Sequence, residues 1–285
     1  DYALSFDGED DYVDVSGSSN ISPQSISVGA WVKLDNNSFD EDIVVVGKFD
    51  NIQGKSWKLS IASSAIGYNI PYFTFRNATG GNKTVNGTTI LEVGTWYYIV
   101  GTFDGTNEKI FVNGFLDNSQ MQSNSSINNA ITNVTIGGNN QGTTSLMHGQ
   151  IDDVLVWNIA LTELEIQSHM SMLPASNEID LVGYWNFNEG SGSTLTDISG
   201  NGNDGIINGA TWAQGETNNL TQLDAYGLTL IPDPNWNGSV EITVQSFDES
   251  GGSDSESFNL TVLAIDDKPF VENEIEPIYL VEDFD

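Results

Sequence analysis

The strongest metal candidate is the stretch Asp197-Ile198-Ser199-Gly200-Asn201-Gly202-Asn203-Asp204-Gly205. Asp197, Ser199 and Asn201 stand at alternate positions with Gly202 sixth, the spacing with which the first half of an EF-hand loop turns its oxygens onto calcium. Asn203 and Asp204 add two further candidate ligands. The twelfth position is Asn208 and not the bidentate glutamate, so a complete EF-hand is excluded. The competing account is a Gly/Asn turn that ties strands together and holds no ion.

Nucleophilic and zinc chemistry is poorly supplied. The chain has no cysteine, which removes thiol nucleophiles, thiolate zinc sites and disulfides together. Its two histidines are isolated: His148 falls in a loop ahead of a strand and His169 on a helix, and surface placement is expected for both. No catalytic residue is assigned. Trp57, Tyr68, Tyr72, Trp96, Tyr97, Tyr98 and Trp212 could stack on sugar rings, although most such residues in β-sandwiches fill the core. Loops at 77–86 and 139–144 are the expected surroundings of a ligand, and ten Asn-x-Ser/Thr sequons leave glycosylation open.

These groups need a scaffold, and period-two alternation supplies it. Leu4 and Phe6, then Tyr12, Val13 and Val15, flank the turn Asp7-Gly8-Glu9-Asp10-Asp11, whose last three acids are expected in solvent. Further strands are read at 27–34, 43–49, 57–62, 72–76, 96–104, 109–112, 133–137 and 150–157, with tight turns at Asp104-Gly105-Thr106-Asn107 and Asn113-Gly114. One helix is expected, at 162–170, where Thr162-Glu163-Leu164-Glu165 forms a capping box. Strands at this spacing give an all-β, two-sheet antiparallel sandwich.

Several ordered blocks carry a resemblance. Leu4-Ser5-Phe6-Asp7-Gly8, Ala30-Trp31-Val32, Gly94-Thr95-Trp96, Gly101-Thr102-Phe103-Asp104-Gly105, Gly149-Gln150-Ile151-Asp152-Asp153-Val154 and Gly183-Tyr184-Trp185-Asn186-Phe187 resemble laminin G-like jelly rolls over residues 1–216. The resemblance implies a concanavalin A-like sandwich that binds sugars or proteins, often with calcium. It also implies that the first strand and the Ile151 strand share one region, which makes Asp7, Asp152 and Asp153 candidate calcium ligands. Adjacent aspartates on a strand face opposite sides, so one of the pair would ligate while the other caps a turn. Laminarinase-type glycosidases share this sandwich and work through a Glu-x-Asp-x-Glu strand. Glu178-Ile179-Asp180-Leu181-Val182-Gly183 begins that way but lacks the second glutamate, which argues against an enzyme.

From about Leu220 the chain resembles the closing half of a bacterial cadherin-like repeat, an immunoglobulin-like β-sandwich, over 217–269. Strands are expected there at 226–231, 240–247 and 257–265. Residues 270–285 look like a linker or the first strand of a following repeat. Asp266 and Asp267, with Asp248, Asp254, Glu282 and Asp283, would gather at that junction, where calcium could stiffen it. A partial sandwich of this kind needs strands from elsewhere, either earlier in a longer parent or from a neighbouring copy. The opening in mid-strand at Asp1 likewise suggests a piece of a larger protein.

Net charge narrows the partners. Forty acidic residues against eight basic ones give a formal charge of -32, a field that repels nucleic acid and anionic lipid. No apolar run approaches the roughly 18 residues of a membrane span. The expected function is a calcium-dependent binding or adhesion module of an extracellular or cell-surface protein, with a glycan or protein ligand. The alternatives are a structural spacer or self-assembling filament unit, and a hydrolase.

Overall fold

The computed structural model describes residues 2–215, apart from short stretches at 17, 19–20, 22, 37–40, 51–53, 64–67, 123–124, 140–142, 172–173 and 175–177, together with residues 238–247 and 253–262. Contacts divide the chain into two units, Asp1–Leu223 and Asp224–Asp285.

The first unit is a jelly roll of two antiparallel sheets. One sheet runs in the order β10 (Phe115–Met121), β9 (Asn107–Val112), β8 (Trp96–Phe103), β3 (Ile26–Leu34), β12 (His148–Trp157), β1 (Tyr2–Asp7) and β16 (Thr211–Gln214). Ten-residue β12 is long enough to hold β1 along its first half and β13 (Leu181–Trp185) along its second. The other sheet runs β14 (Thr194–Leu195), β15 (Gly205–Asn208), β2 (Tyr12–Val15), β11 (Val134–Ile136), β4 (Ile43–Asp50), β5 (Gly54–Ala62), β6 (Ile70–Arg76) and β7 (Asn82–Asn86).

Alternation decides which side chains lie between the sheets. Trp57, Leu59, Ile61, Phe73 and Phe75 from the second sheet join Val28, Ala30, Val32, Ile99, Phe103 and Ile151 from the first in one buried cluster. Phe75 and Phe103 meet across the interface with ring centroids 4.3 Å apart. Fully burying each such side chain stabilises the fold by about 1.5–3 kcal/mol. The fit is close at Gly101, where an added Cβ would come within 2.5 Å of the Phe73 ring.

The expected helix forms as α1 (Glu163–Ser171). Its capping box closes as the sequence implies: Thr162 N donates to Glu165 Oε2 at 2.7 Å, and Glu165 N donates back to Thr162 Oγ1 at 3.3 Å. Ile166 and Met170 then pack with Tyr98, Val100, Phe111, Leu155, Trp157 and Tyr184 in a second buried cluster. The outer face of the first sheet is therefore covered over much of its centre.

Strands β7, β10 and β13 to β16 are not among those expected. β7 lies inside the 77–86 stretch expected as loop, and β10 follows the Asn113-Gly114 turn unannounced. Both are edge strands of polar or exposed residues, with Val85 the buried member of β7, so one-sided burial leaves no alternating signature. In the second unit β17 (Gly238–Phe247) and β18 (Ser253–Val262) form an antiparallel ribbon pairing Val240 with Leu260 and Ile242 with Phe258. The strand expected at 226–231, and Asp266 and Asp267, lie outside the described residues.

Candidate functional site

The outer face of the second sheet, from β4 to β7, carries the polar and aromatic groups that the interior excludes. Register places Gly47, Lys58, Thr74 and Thr84 in one row across it, with Tyr72 and Arg76 on either side of Thr74 along β6. A register shift sets Lys48 opposite Trp57 but Phe49 opposite Lys55, so the extra residue, Ser56, turns Lys55 to the same face as Lys58. Glycine at 47 is required by Lys58: a Cβ there would stand 2.8 Å from the Cβ of that lysine.

Lys58 is the centre of this face. Its Nζ donates to the Tyr72 hydroxyl at 2.8 Å and sits 5.1 Å from the Tyr72 ring centre and 5.3 Å from that of Phe49. Lys55 Nζ lies over the same Phe49 ring at 5.1 Å. Tyr72 in turn donates to Asp42 Oδ2 at 3.0 Å, and Asp42 Oδ1 is held by Ser63 N and Oγ at 2.9 and 3.1 Å. Burial pulls the Lys58 ammonium down to about 8, the Asp42 charge opposing that shift and the Lys55 charge adding to it. The Tyr72 hydroxyl moves up, first through burial and then through the adjacent Asp42. Arg76 Nη1 donates to Asn82 Oδ1 at 3.0 Å, and the hydroxyls of Thr74 and Thr84 bond to each other. Among the described residues, no carboxylate lies within 4 Å of the charged nitrogens of Lys55, Lys58 or Arg76.

The Asp197 loop is closed by its own groups. Asp197 Oδ1 accepts from Tyr184 N at 3.0 Å and Ser199 N at 2.9 Å, and Oδ2 accepts from Asn203 N at 2.8 Å. Asp204 Oδ1 accepts from Asp197 N at 2.9 Å. The amides of Asn201 and Asn203 donate to the carbonyls of Leu181 and Val182, both at 2.9 Å, and the indole of Trp185 donates to Asn203 O at 2.9 Å. The loop thus clasps β13, and Asp197, Ser199 and Asn203 are buried while Asn201 and Asp204 are exposed.

Asp7 and the Asp152-Asp153 pair lie on paired strands but apart. Asp7 is opposite His148 and Leu4 is opposite Ile151, so Asp152 is four residues along the ladder from Asp7, about 13 Å at strand rise. A bulge in β12 gives Asp153 a φ of 43° and buries both aspartates. Asp153 Oδ1 accepts the Tyr184 hydroxyl at 3.2 Å, and its charge, after burial, holds the hydroxyls of Tyr98 and Tyr184 protonated far above their usual range. Asp7 instead meets Asp10 and Asp11, with one carboxylate oxygen of each within 4.8 Å of the others. Asp11, expected in solvent, is buried: its Oδ2 accepts from Asp7 N at 2.9 Å, and Gly209 opposite leaves room for its carboxylate. Burial, with the charges of Asp7 and Asp10, raises its proton affinity despite that bond.

The remaining expectations sort as follows. Trp57 and Tyr98 are core residues, whereas Tyr68 is 58% exposed. His169 is not a free surface side chain: it packs on Trp157 at 4.8 Å and meets Glu178 at 3.6 Å, because the helix presents it to the sheet. His148 starts β12 and bonds Asn36 Nδ2 through Nδ1 at 2.6 Å. Asp180, in the acidic run before β13, has a φ of 69° and stands in a turn. Sequence reasoning passed over Lys58, Arg76 and Asp42, yet one signal was present. Five of the eight basic residues, Lys48, Lys55, Lys58, Arg76 and Lys83, fall between positions 48 and 83.

A family model described as the concanavalin A-like lectin/glucanases superfamily matches residues 7–167. Among solved structures, a proposed carbohydrate binding protein from Bacteroides ovatus ATCC 8483 is similar at a TM-score of 0.62 and 20% identity, over 76% of this chain and 60% of that one. The native heptameric SAP-like pentraxin of Limulus polyphemus is similar at 0.51 and 14% identity, over 76% of this chain and 96% of that one. The chain therefore spans 60% of the length of the Bacteroides protein. No curated protein matches the sequence.

Proposed function

The chain belongs to the concanavalin A-like lectin/glucanases superfamily, and from that membership we propose that its jelly roll is a glycan-binding module whose ligand lies across the outer face of β4–β7. One observation carries the proposal. With α1 packed on the first sheet, the outer face of the second sheet holds a lysine, a tyrosine and an aspartate in one hydrogen-bonded chain beside threonine hydroxyls and an aromatic ring, Tyr72, Thr74 and Phe49 being themselves buried. Such a mixture suits a sugar, whose hydroxyls need fixed polar partners and whose ring carbons need an apolar surface. The Bacteroides relative, itself a proposed carbohydrate binding protein, is consistent with it. The parent setting we propose is extracellular or cell-surface.

Binding is favoured over hydrolysis on this face. A glycosidase needs two carboxyls about 5 to 9 Å apart, whereas Asp42 is committed to Tyr72 and Ser63, and Glu178 is paired with His169 behind the first sheet. In a panel of immobilised oligosaccharides, we expect Tyr72→Phe to weaken binding several-fold while Phe115→Ala, on the far edge of the first sheet, leaves it unchanged. Equal binding by both variants and the parent would place the ligand elsewhere.

Calcium dependence forms the second part of the proposal, now at the turn from β1 to β2. Asp7, Asp10 and Asp11 crowd their carboxylates together, and a divalent cation would offset both the burial and the repulsion that raise the proton affinity of Asp11. Millimolar calcium is expected to raise the melting temperature, and Asp11→Asn to abolish the rise. Identical melting in calcium and in chelator would remove this part.

A further inference from the structure

We infer that the glycan bound on this face is anionic, its carboxylate or sulfate group held between Lys55 and Lys58 with Arg76 alongside. The inference rests on the reading of β4–β7 as a glycan site and adds the chemical class of the ligand.

The distribution of charge is the starting point. The chain has only eight basic residues against 40 acidic ones, yet three of the eight lie on one face of two adjacent strands. Lys48 and Lys83 are not part of the group. Lys48 is fully buried and donates to Ile21 O at 2.7 Å, and Lys83 lies next to Val85 on β7, where its charge acts on buried Glu108. In so acidic a chain, cations with no specific task should find carboxylates. Lys55, Lys58 and Arg76 have none within 4 Å among the described residues.

Their arrangement is also costly without a ligand. Lys55 and Lys58 place both ammonium groups over the Phe49 ring, and each charge disfavours the other. Lys58 is in addition largely desolvated, with a neutral hydroxyl as its hydrogen-bond partner. Lys58 pointing into solvent would avoid both penalties but would give up the Tyr72 hydrogen bond, the two ring contacts and the attraction of Asp42. An anion seated between the two ammonium groups would offset both, and Arg76 offers a planar fork for a carboxylate or sulfate. Acids elsewhere on the chain do not cancel this, since at physiological salt exposed charges are screened beyond about 8 Å.

The same geometry gives a pH dependence. The groups facing Lys58 are Lys55, Tyr72 and, through Tyr72, Asp42. Lys58 loses its proton near pH 8 in the free protein, so affinity for an anion should fall between pH 7 and 9.

Isothermal titration with paired probes tests the inference. The pairs are oligogalacturonate with its methyl ester, and a sulfated galactan oligosaccharide with its desulfated form. Proteins are the parent, Lys55→Gln/Lys58→Met, and the milder Arg76→Gln, each checked for an unchanged β-sheet circular dichroism spectrum. We expect at least one charged probe to bind at least tenfold more tightly than its neutral counterpart, to weaken with salt, and to lose most of that margin in the double variant and part of it in Arg76→Gln. Whichever charged probe binds separates carboxylate from sulfate. Neutral probes bound as tightly as charged ones, or a charged probe bound unchanged by both variants, would overturn the anionic assignment while leaving the glycan reading intact. If none of the four probes binds, the anionic assignment and the glycan reading beneath it fall together.

Discussion

Asp197→Ala is expected to cost the jelly roll on the order of 3–5 kcal/mol, by the same amount in calcium and in chelator. The Asp197 carboxylate accepts three main-chain N–H bonds, from Tyr184, Ser199 and Asn203, at 2.8 to 3.0 Å. Alanine leaves those donors without an acceptor in a place closed to water, at about 1–3 kcal/mol each, with partial recovery as the loop relaxes. The Trp185 indole, held by Asn203 O, would loosen with the loop. Denaturant unfolding in calcium and in EDTA measures both values. A loss confined to the calcium arm would show that the loop holds an ion, as its spacing first suggested, and a loss below about 1 kcal/mol would deny the clasp.

Glu108→Gln is expected to do the reverse and stabilise the protein, by a few kcal/mol above pH 8 and hardly at all near pH 4. Glu108 is fully buried on β9, with Oε2 accepting from Gln122 Nε2 at 2.8 Å and Oε1 without a partner. Burial pushes its carboxyl up to about 8, against the smaller opposing pulls of the Gln122 bond and the Lys83 charge. The unfolded chain releases this proton near pH 4.5 and the folded one near pH 8, so between those values the folded state binds more protons. Stability must then fall as pH rises through that window, by up to about 1.4 kcal/mol per pH unit from this one group. Glutamine removes the term. The difference between parent and variant unfolding free energies, followed from pH 4 to 9, should widen with pH, and parallel curves would contradict the assignment.

What the sequence could show, and what it could not, follows from which signals are local. The capping box at Thr162 and Glu165 is local chemistry and appears where it was read. Strands buried on one or both faces, such as β3, β6 and β12, announce themselves by alternation or apolar runs. Edge strand β7 does not, since Asn82, Lys83 and Thr84 face solvent or a partly filled edge. Around Asp197, short oxygen side chains alternating with glycine serve two physical purposes equally well. They can surround a cation or accept the loop's own N–H groups, and spacing alone does not distinguish the two. Register sets Lys58 and Tyr72 on the outer face of β5 and β6, but the sequence reading assigns neither to a face, and which sheet α1 covers is a tertiary fact. The bulge at Ser56 that brings Lys55 beside Lys58 reverses its parity and hides it from any period-two pattern. Asp11, read as a solvent acid in an acidic turn, is buried because Gly209, almost 200 residues away, leaves space for its carboxylate.

The most direct test of a glycan site on the second sheet is hydrogen–deuterium exchange, with and without the tightest-binding oligosaccharide of the panel. Slowed exchange should concentrate in Gly54–Ala62 and Ile70–Arg76, the strands that carry Lys55, Lys58, Tyr72 and Arg76, while Glu163–Ser171 and the first sheet stay unchanged. Protection centred on Trp96–Phe103, on Phe115–Met121 or on the helix, with β5 and β6 unaffected, would contradict the account.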